Sequence, residues 1–186
     1  KITVVGSGYV GMSLSVLLAQ HNHVNVHDID SKKIDKINKK QSTVADKEIE
    51  AFLADKQLSL SATSDKNEAY KDASFIIIAT PTNYDSVSNS FDTSSVDTVV
   101  ENALELNANA LIVIKSTIPV GHTKYLQEKF KTERVIFSPE FLREGMALKD
   151  NLYPSRIIIG SLCKAGREFA NLLKKSALKE DINMLF

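Results

Sequence analysis

The sequence predicts an α/β protein: a doubly wound, mostly parallel sheet with helices on both faces. Three observations carry this reading. Ile2–Val5 is a short β-branched run, and Phe75–Ala79 and Ala110–Ile114 are apolar at every position, as strands covered on both faces are. Stretches with apolar residues at helical spacing separate them. Strand and helix keep alternating along the 186 residues, a spacing that fits right-handed crossover units.

The elements follow in order. Ile2 to Val5 is a strand ending at Gly6, and Val10, Leu14, Leu17 and Leu18 mark a helix that stops by Gln20–Asn22. His23 to Asp28 is a second strand. Asp30 and Ser31 cap a Lys-rich helix whose inner face is Ile34 and Ile37. Ile49, Phe52 and Leu53 form a short helix, and Leu58 to Thr63 alternates like a strand. After the strand at Phe75–Ala79, the polar stretch Thr80–Ser95 reads as a long functional loop. Val96, Val99, Val100, Ala103 and Leu104 make a helical face, Ala110–Ile114 a strand, and Leu126 and Phe130 a helix after Gly121. Val135–Phe137 and Arg156–Gly160 are further strands, and Phe169, Leu172 and Leu173 lie on a last helix. Met184, Leu185 and Phe186 look like buried-type residues cut from a longer chain.

Composition bounds the function. With 43% hydrophobic and 25% charged residues the chain is ordinary globular protein, about one domain in length. Lys+Arg 23 balances Asp+Glu 23, so bulk charge points to no nucleic-acid or anionic-membrane partner. The longest aliphatic run falls far short of the roughly 20 residues that span a bilayer. Cys163 is the single cysteine, which precludes an internal disulfide, and its setting reads as inert packing. No charged-then-apolar leader is visible at Lys1, so a reducing cytoplasm is the expected compartment. His23 and His27 would share a strand face, yet no thiol or carboxylate pattern completes a metal site there.

The most informative motif is Gly6-Ser7-Gly8-Tyr9-Val10-Gly11, placed where a strand becomes a helix. Gly6 permits the turn, Gly8 lets the backbone approach a diphosphate, and Gly11 lets helix and strand pack closely. The helix N-terminus offers unpaired N–H groups and partial positive charge. Asp28 ends the next strand, where it can accept from an adenosine ribose; its charge disfavours a 2′-phosphate and so favours NAD over NADP. Lys32 and Lys33 lie nearby and work against that preference, within a lysine run that otherwise reads as a solvated helix face. The plainer reading is a glycine-rich turn plus a helix-initiating Asp. In context the motif predicts a Rossmann-type dinucleotide site.

In such a sheet ligands sit beyond the carboxyl ends of the strands. Three of those ends are unusual: Thr80-Pro81-Thr82-Asn83, Lys115-Ser116-Thr117, and Ser138-Pro139-Glu140-Phe141-Leu142-Arg143-Glu144-Gly145. Each also reads as a polar turn or cap. In the third, Pro139 suits the start of a helical turn, which would set Glu140 and Glu144 four apart on one face. Paired carboxylates suit a general base, and equally the first turn of any helix.

Together these segments, with Pro154-Ser155-Arg156-Ile157, resemble the UDP-glucose/GDP-mannose dehydrogenase family of nucleotide-sugar dehydrogenases, in the family's order and over nearly the whole chain. The Pro-Glu-Phe-Leu-Arg-Glu-Gly segment is the specific part; Phe141-Leu142 favours UDP-glucose over N-acetylated sugars. The resemblance implies an NAD-binding domain over residues 1–186, with a linking helix and a C-terminal UDP-binding domain outside it. It implies oxidation of the sugar C6 alcohol to the acid with two NAD, through a thioester on a cysteine outside this chain. Glu140 would be the base in thioester hydrolysis and Thr117 would help hold the water. Val10, Asp28, Lys33, Thr82, Thr117 and Glu144 would contact NAD with the Gly6–Gly11 turn, Tyr9 included, and Glu140, Phe141, Leu142, Arg143 and Glu144 would line the sugar-nucleotide site. It further implies a homodimer, a domain inactive alone, and a product bound for polysaccharide synthesis. The alternatives are GDP-mannose or another nucleotide sugar as substrate, or a stand-alone NAD-binding module without catalysis.

Overall fold

A computed structural model describes residues 1–86 and 89–186. Val87 and Ser88, inside the stretch expected to be a long loop, lie outside the described residues. The strands are β1 (Ile2–Val5), β2 (Val24–His27), β3 (Leu60–Thr63), β4 (Phe75–Ile78), β5 (Tyr84–Asp85), β6 (Ser90–Phe91), β7 (Leu111–Ile114), β8 (Val135–Phe137), β9 (Arg156–Ile158) and β10 (Asn183–Leu185). The helices are α1 (Tyr9–Ala19), α2 (Ser31–Asn38), α3 (Lys47–Asp55), α4 (Lys66–Tyr70), α5 (Ser94–Leu106), α6 (His122–Phe130), α7 (Ala147–Leu152) and α8 (Lys164–Ser176).

Six strands form one parallel sheet in the order β3-β2-β1-β4-β7-β8. Alternate residues of the central strands feed two separate cores, which is why those strands carry no polar face. On one side Val4, Ile77, Val113 and Ile136 meet Leu14 and Leu17 of α1, Ile49 of α3, Leu148 of α7 and Phe169 of α8. On the other Ile76, Ile78, Ile112 and Ile114 meet Tyr70 of α4, Val96 and Val100 of α5 and Leu126 of α6. The sheet is doubly wound as expected, and the strand order reverses between β1 and β4, where such sheets open a crevice.

Several expectations need correction. Residues 138–143 form neither helix nor strand and no helix starts at Pro139; α7 begins only at Ala147. The strand at Arg156–Ile158 lies outside the main sheet and pairs in parallel with β10, which takes up Met184 and Leu185. The stretch after Pro81 contains the antiparallel β5–β6 pair, Tyr84 opposite Phe91, before α5 begins at Ser94. Cys163 is exposed rather than packed, and its Sγ caps α8 by accepting from the Gly166 N–H.

Candidate functional site

The turn after β1 is built by exclusion. Gly6 has φ +94°, and a Cβ on it would lie 2.6 Å from the Ala79 carbonyl oxygen after β4. A Cβ on Gly11 would lie 1.9 Å from the Gly6 carbonyl oxygen, so α1 runs against the turn at a separation only glycine permits. Nothing lies within 4 Å of where a Gly8 Cβ would stand. The turn is therefore closed at both ends and open in its middle, where α1 presents its N-terminus.

Asp28 anchors this turn. Its Oδ2 accepts from the Ser7 N–H at 2.9 Å and from the Ser7 hydroxyl, and its Oδ1 accepts from the Asp30 N–H at 3.0 Å. Burial alone would raise its pKa. The Ser7 hydroxyl, the Asp30 N–H, the Lys33 charge and the Ser7 N–H outweigh that and hold the carboxyl below its ordinary range. A carboxylate offers about four acceptor positions, and three are taken, which leaves room for one ribose hydroxyl. From the other side, the Thr43 hydroxyl donates to the Ser7 carbonyl at 2.6 Å.

The crevice over this turn encloses ≈ 1220 Å³, above the about 300–1,000 Å³ of ordinary small-molecule sites and roomy enough for a dinucleotide. Gly6, Gly8, Tyr9, Val10, Asp28, Lys33, Thr82 and Thr117 line it, together with Glu140, Leu142 and Glu144. Gly11 lies behind the turn rather than on its surface. Phe141 and Arg143 face a second, smaller cavity of ≈ 220 Å³ instead. The split follows an alternation of successive residues, Phe141 and Arg143 to one cavity and Leu142 and Glu144 to the other. Glu140 and Glu144 thus share a side by a period of two, not by a helical turn.

The second cavity also takes in Asp150, Tyr153 and Arg156. Arg143 and Asp150 are paired at 2.7 Å; that bond, against the effect of burial, holds the Asp150 carboxyl low. The Arg156 guanidinium stacks 4.5 Å from the Phe141 ring centroid. Lys115, Pro139 and Glu140 line both cavities and form the wall between them. The Lys115 Nζ lies 3.3 Å from Glu140 Oε2 with its side chain only 5% exposed. Burial lowers the Lys115 pKa, opposed by the Glu140 charge. Ser116 is buried and donates to the Thr80 carbonyl at 2.6 Å, tying two strand ends together, while Thr117 beside it is exposed to the crevice.

Sequence reasoning assigned no role to Ser7, Thr43 or Lys115. Ser7 occupies a variable position of the glycine motif, and Thr43 has no local signal at all. Lys115 did have one: a charge directly after a four-residue apolar strand must find a partner. Elsewhere, His23 is within 3.2 Å of the Ser59 hydroxyl and His27 of the Thr63 carbonyl. Among the described residues no group of three or more His, Cys, Asp or Glu is placed to hold a metal. No described helix is long and apolar enough to cross a membrane.

A doubly wound sheet with a glycine turn at its reversal point and an acid on the next strand defines a dinucleotide-binding domain. The description "UDP-glucose/GDP-mannose dehydrogenase family, NAD binding domain" matches residues 1–176, and the chain belongs to that family as its NAD-binding domain. It is 52% identical over 191 aligned positions to a UDP-glucose 6-dehydrogenase of Streptococcus pneumoniae, covering 100% of this chain and 48% of that protein. The chain thus spans about half the length of this curated relative. Among solved structures it superposes on a UDP-glucose dehydrogenase of Pyrobaculum islandicum (TM-score 0.85, 26% identity, 99% of this chain and 45% of that one). It also superposes on a GDP-mannose dehydrogenase of Pseudomonas aeruginosa (TM-score 0.84, 26% identity, the same coverage of 99% and 45%).

Proposed function

We propose that this domain is the coenzyme-binding half of a cytoplasmic, homodimeric UDP-glucose 6-dehydrogenase that converts UDP-glucose to UDP-glucuronate with two NAD. The observation that carries the reading is the shared wall: Glu140 stands where the coenzyme crevice meets the second cavity. The identity to the Streptococcus pneumoniae protein supports the choice of sugar.

NAD, when bound, supplies the hydride acceptor for both oxidations. Main-chain amides of the Gly6–Gly11 turn would hold its diphosphate and Asp28 would accept from the adenosine ribose, while Val10, Lys33 and Thr82 line the same crevice. Glu144, also in that lining, would contact the nicotinamide end. The nucleophilic cysteine lies outside this chain, since Cys163 caps α8 and lines neither cavity. Thr117 and Glu140 hold a water. As the water oxygen bonds to the thioester carbonyl carbon, Glu140 takes its proton; the carbon–sulfur bond then breaks and the thiolate leaves.

The test is stoichiometry on the full-length protein. Two NAD should be reduced per UDP-glucose consumed, with turnover on GDP-mannose at least tenfold poorer. Release of an aldehyde with one NAD reduced, or a preference for GDP-mannose, overturns the reading.

A further inference from the structure

We propose that Lys115 is the positioning residue of the reaction's final step, holding the Glu140 carboxylate at the wall between the two cavities. The inference rests on Glu140 being the hydrolytic base.

The Lys115 Nζ donates to the Ser138 hydroxyl at 3.3 Å and to the Pro139 carbonyl at 3.3 Å, and it stands 3.3 Å from Glu140 Oε2 as an ion pair, an oxygen that accepts no hydrogen bond among the described residues. These partners belong to three consecutive residues. Lys115 itself directly follows β7, a strand paired on both sides, with β4 and with β8. Residues 138–143 form neither helix nor strand, so no helical or sheet ladder of backbone bonds fixes them. The lysine does that work from the side. Ser138 passes the tie onward by donating to the Ile158 carbonyl at 2.8 Å, at the last residue of β9. The other carboxylate oxygen, Oε1, accepts from the Phe141 N–H at 2.9 Å. Both oxygens of Glu140 are thereby located, one by a cation and one by main chain.

The remaining charged groups of the second cavity are engaged elsewhere. Arg143 is paired with Asp150, and Arg156 lies over Phe141. Among the described residues, Lys115 is the cation in contact with Glu140. With 5% of its side chain exposed and its Nζ held by Ser138, Pro139 and Glu140, it acts on the reacting water through the Glu140 carboxylate. That separates a positioning role from a catalytic one.

The experiment compares Lys115→Met, Glu140→Gln and the double variant in the full-length protein, reading the rate of acid release and the thioester by intact mass. Lys115→Met should slow acid release roughly 10–100-fold, the scale of a misplaced catalytic group, and let the thioester accumulate. The first NAD reduction should be slowed less than acid release, because the lysine holds Ser138, Pro139 and Glu140 and not the glycine turn. The double variant should be no slower than Glu140→Gln, since both substitutions remove one device. Lys115→Ala with added ethylammonium serves as a second probe that restores the missing cation, and it should recover several-fold of the lost rate. Losses that multiply in the double variant, or a Lys115→Met enzyme of normal rate beside a slow Glu140→Gln, overturn the positioning role and leave Glu140 as base. Normal acid release by Glu140→Gln removes the base assignment and this inference with it.

Discussion

Asp28 is kept ionised against its own burial by hydrogen bonds that also shape the glycine turn. The linkage has a definite sign. A carboxyl whose folded pKa lies below its unfolded value stabilises the fold above that unfolded value of 3.8, and the stabilisation is lost as pH falls through the folded pKa. Asp28→Asn should therefore flatten the acid limb of the stability curve below about pH 4, read by denaturant unfolding at stepped pH. An unchanged acid limb would mean that the Ser7 contacts do not favour the charged form. The same charge selects the coenzyme. Calorimetry should give NAD at least tenfold, about 1.4 kcal/mol, tighter than NADP, and Asp28→Asn should narrow the gap. Lys33 works against the preference but is partly spent on Asp28 itself. Tighter NADP binding by the unmodified chain would remove Asp28 as selector.

At the scale of elements, the junction of β1 and α1 separates fold from ligand. Inside a helix, Gly→Ala ordinarily stabilises by about 1 kcal/mol. At Gly11 the sign reverses, because the added Cβ meets the Gly6 carbonyl at 1.9 Å and backbone must move. Gly11→Ala should cost ~1–3 kcal/mol, as overpacking does, and weaken NAD binding as well. Gly8→Ala meets nothing within 4 Å and keeps an ordinary φ of −75°, so it should cost no more than ~1 kcal/mol of cap preference. Its Cβ would still occupy the space a diphosphate needs, so NAD affinity should fall at least tenfold. Denaturant unfolding and calorimetry on both variants check the contrast; equal affinity losses per unit of stability would refute it. What was legible in sequence follows the same division. The glycine turn, Asp28 and the strands buried on both faces are local patterns. Helices α4 and α7, of five and six residues, are too short to display a period. The segment at Ser138–Gly145 was misread as a helical turn because Pro139 and two acids are a local helix signature. What sets its shape is Lys115, some two dozen positions earlier, and no local rule contains such a pair. Pairing of β9 with β10 is equally non-local.

Across the whole molecule, the coenzyme site is a seam between two halves of the sheet. Gly6 after β1 abuts Ala79 after β4, and each of these two strands feeds both cores. A ligand spanning that seam binds only the folded chain, so it must raise stability by mass action. The formal net charge is zero, so no global field contributes and the gain has to come from contacts in the crevice. At a concentration of NAD 100-fold above its Kd the stabilisation is about 2.7 kcal/mol. For a domain of this size each kcal/mol moves the melting midpoint by roughly 2–4 °C, so the shift should be about 5–11 °C. Part of the shift should be salt-dependent, because exposed Lys32 and Lys36 share α2 with Lys33, which lines the crevice. NADP at the same concentration should give a smaller shift, and Gly8→Ala should abolish most of it while leaving the unliganded midpoint nearly in place. A midpoint that ignores millimolar NAD would mean that the glycine turn does not hold a diphosphate, and the assignment of every crevice residue would fall with it.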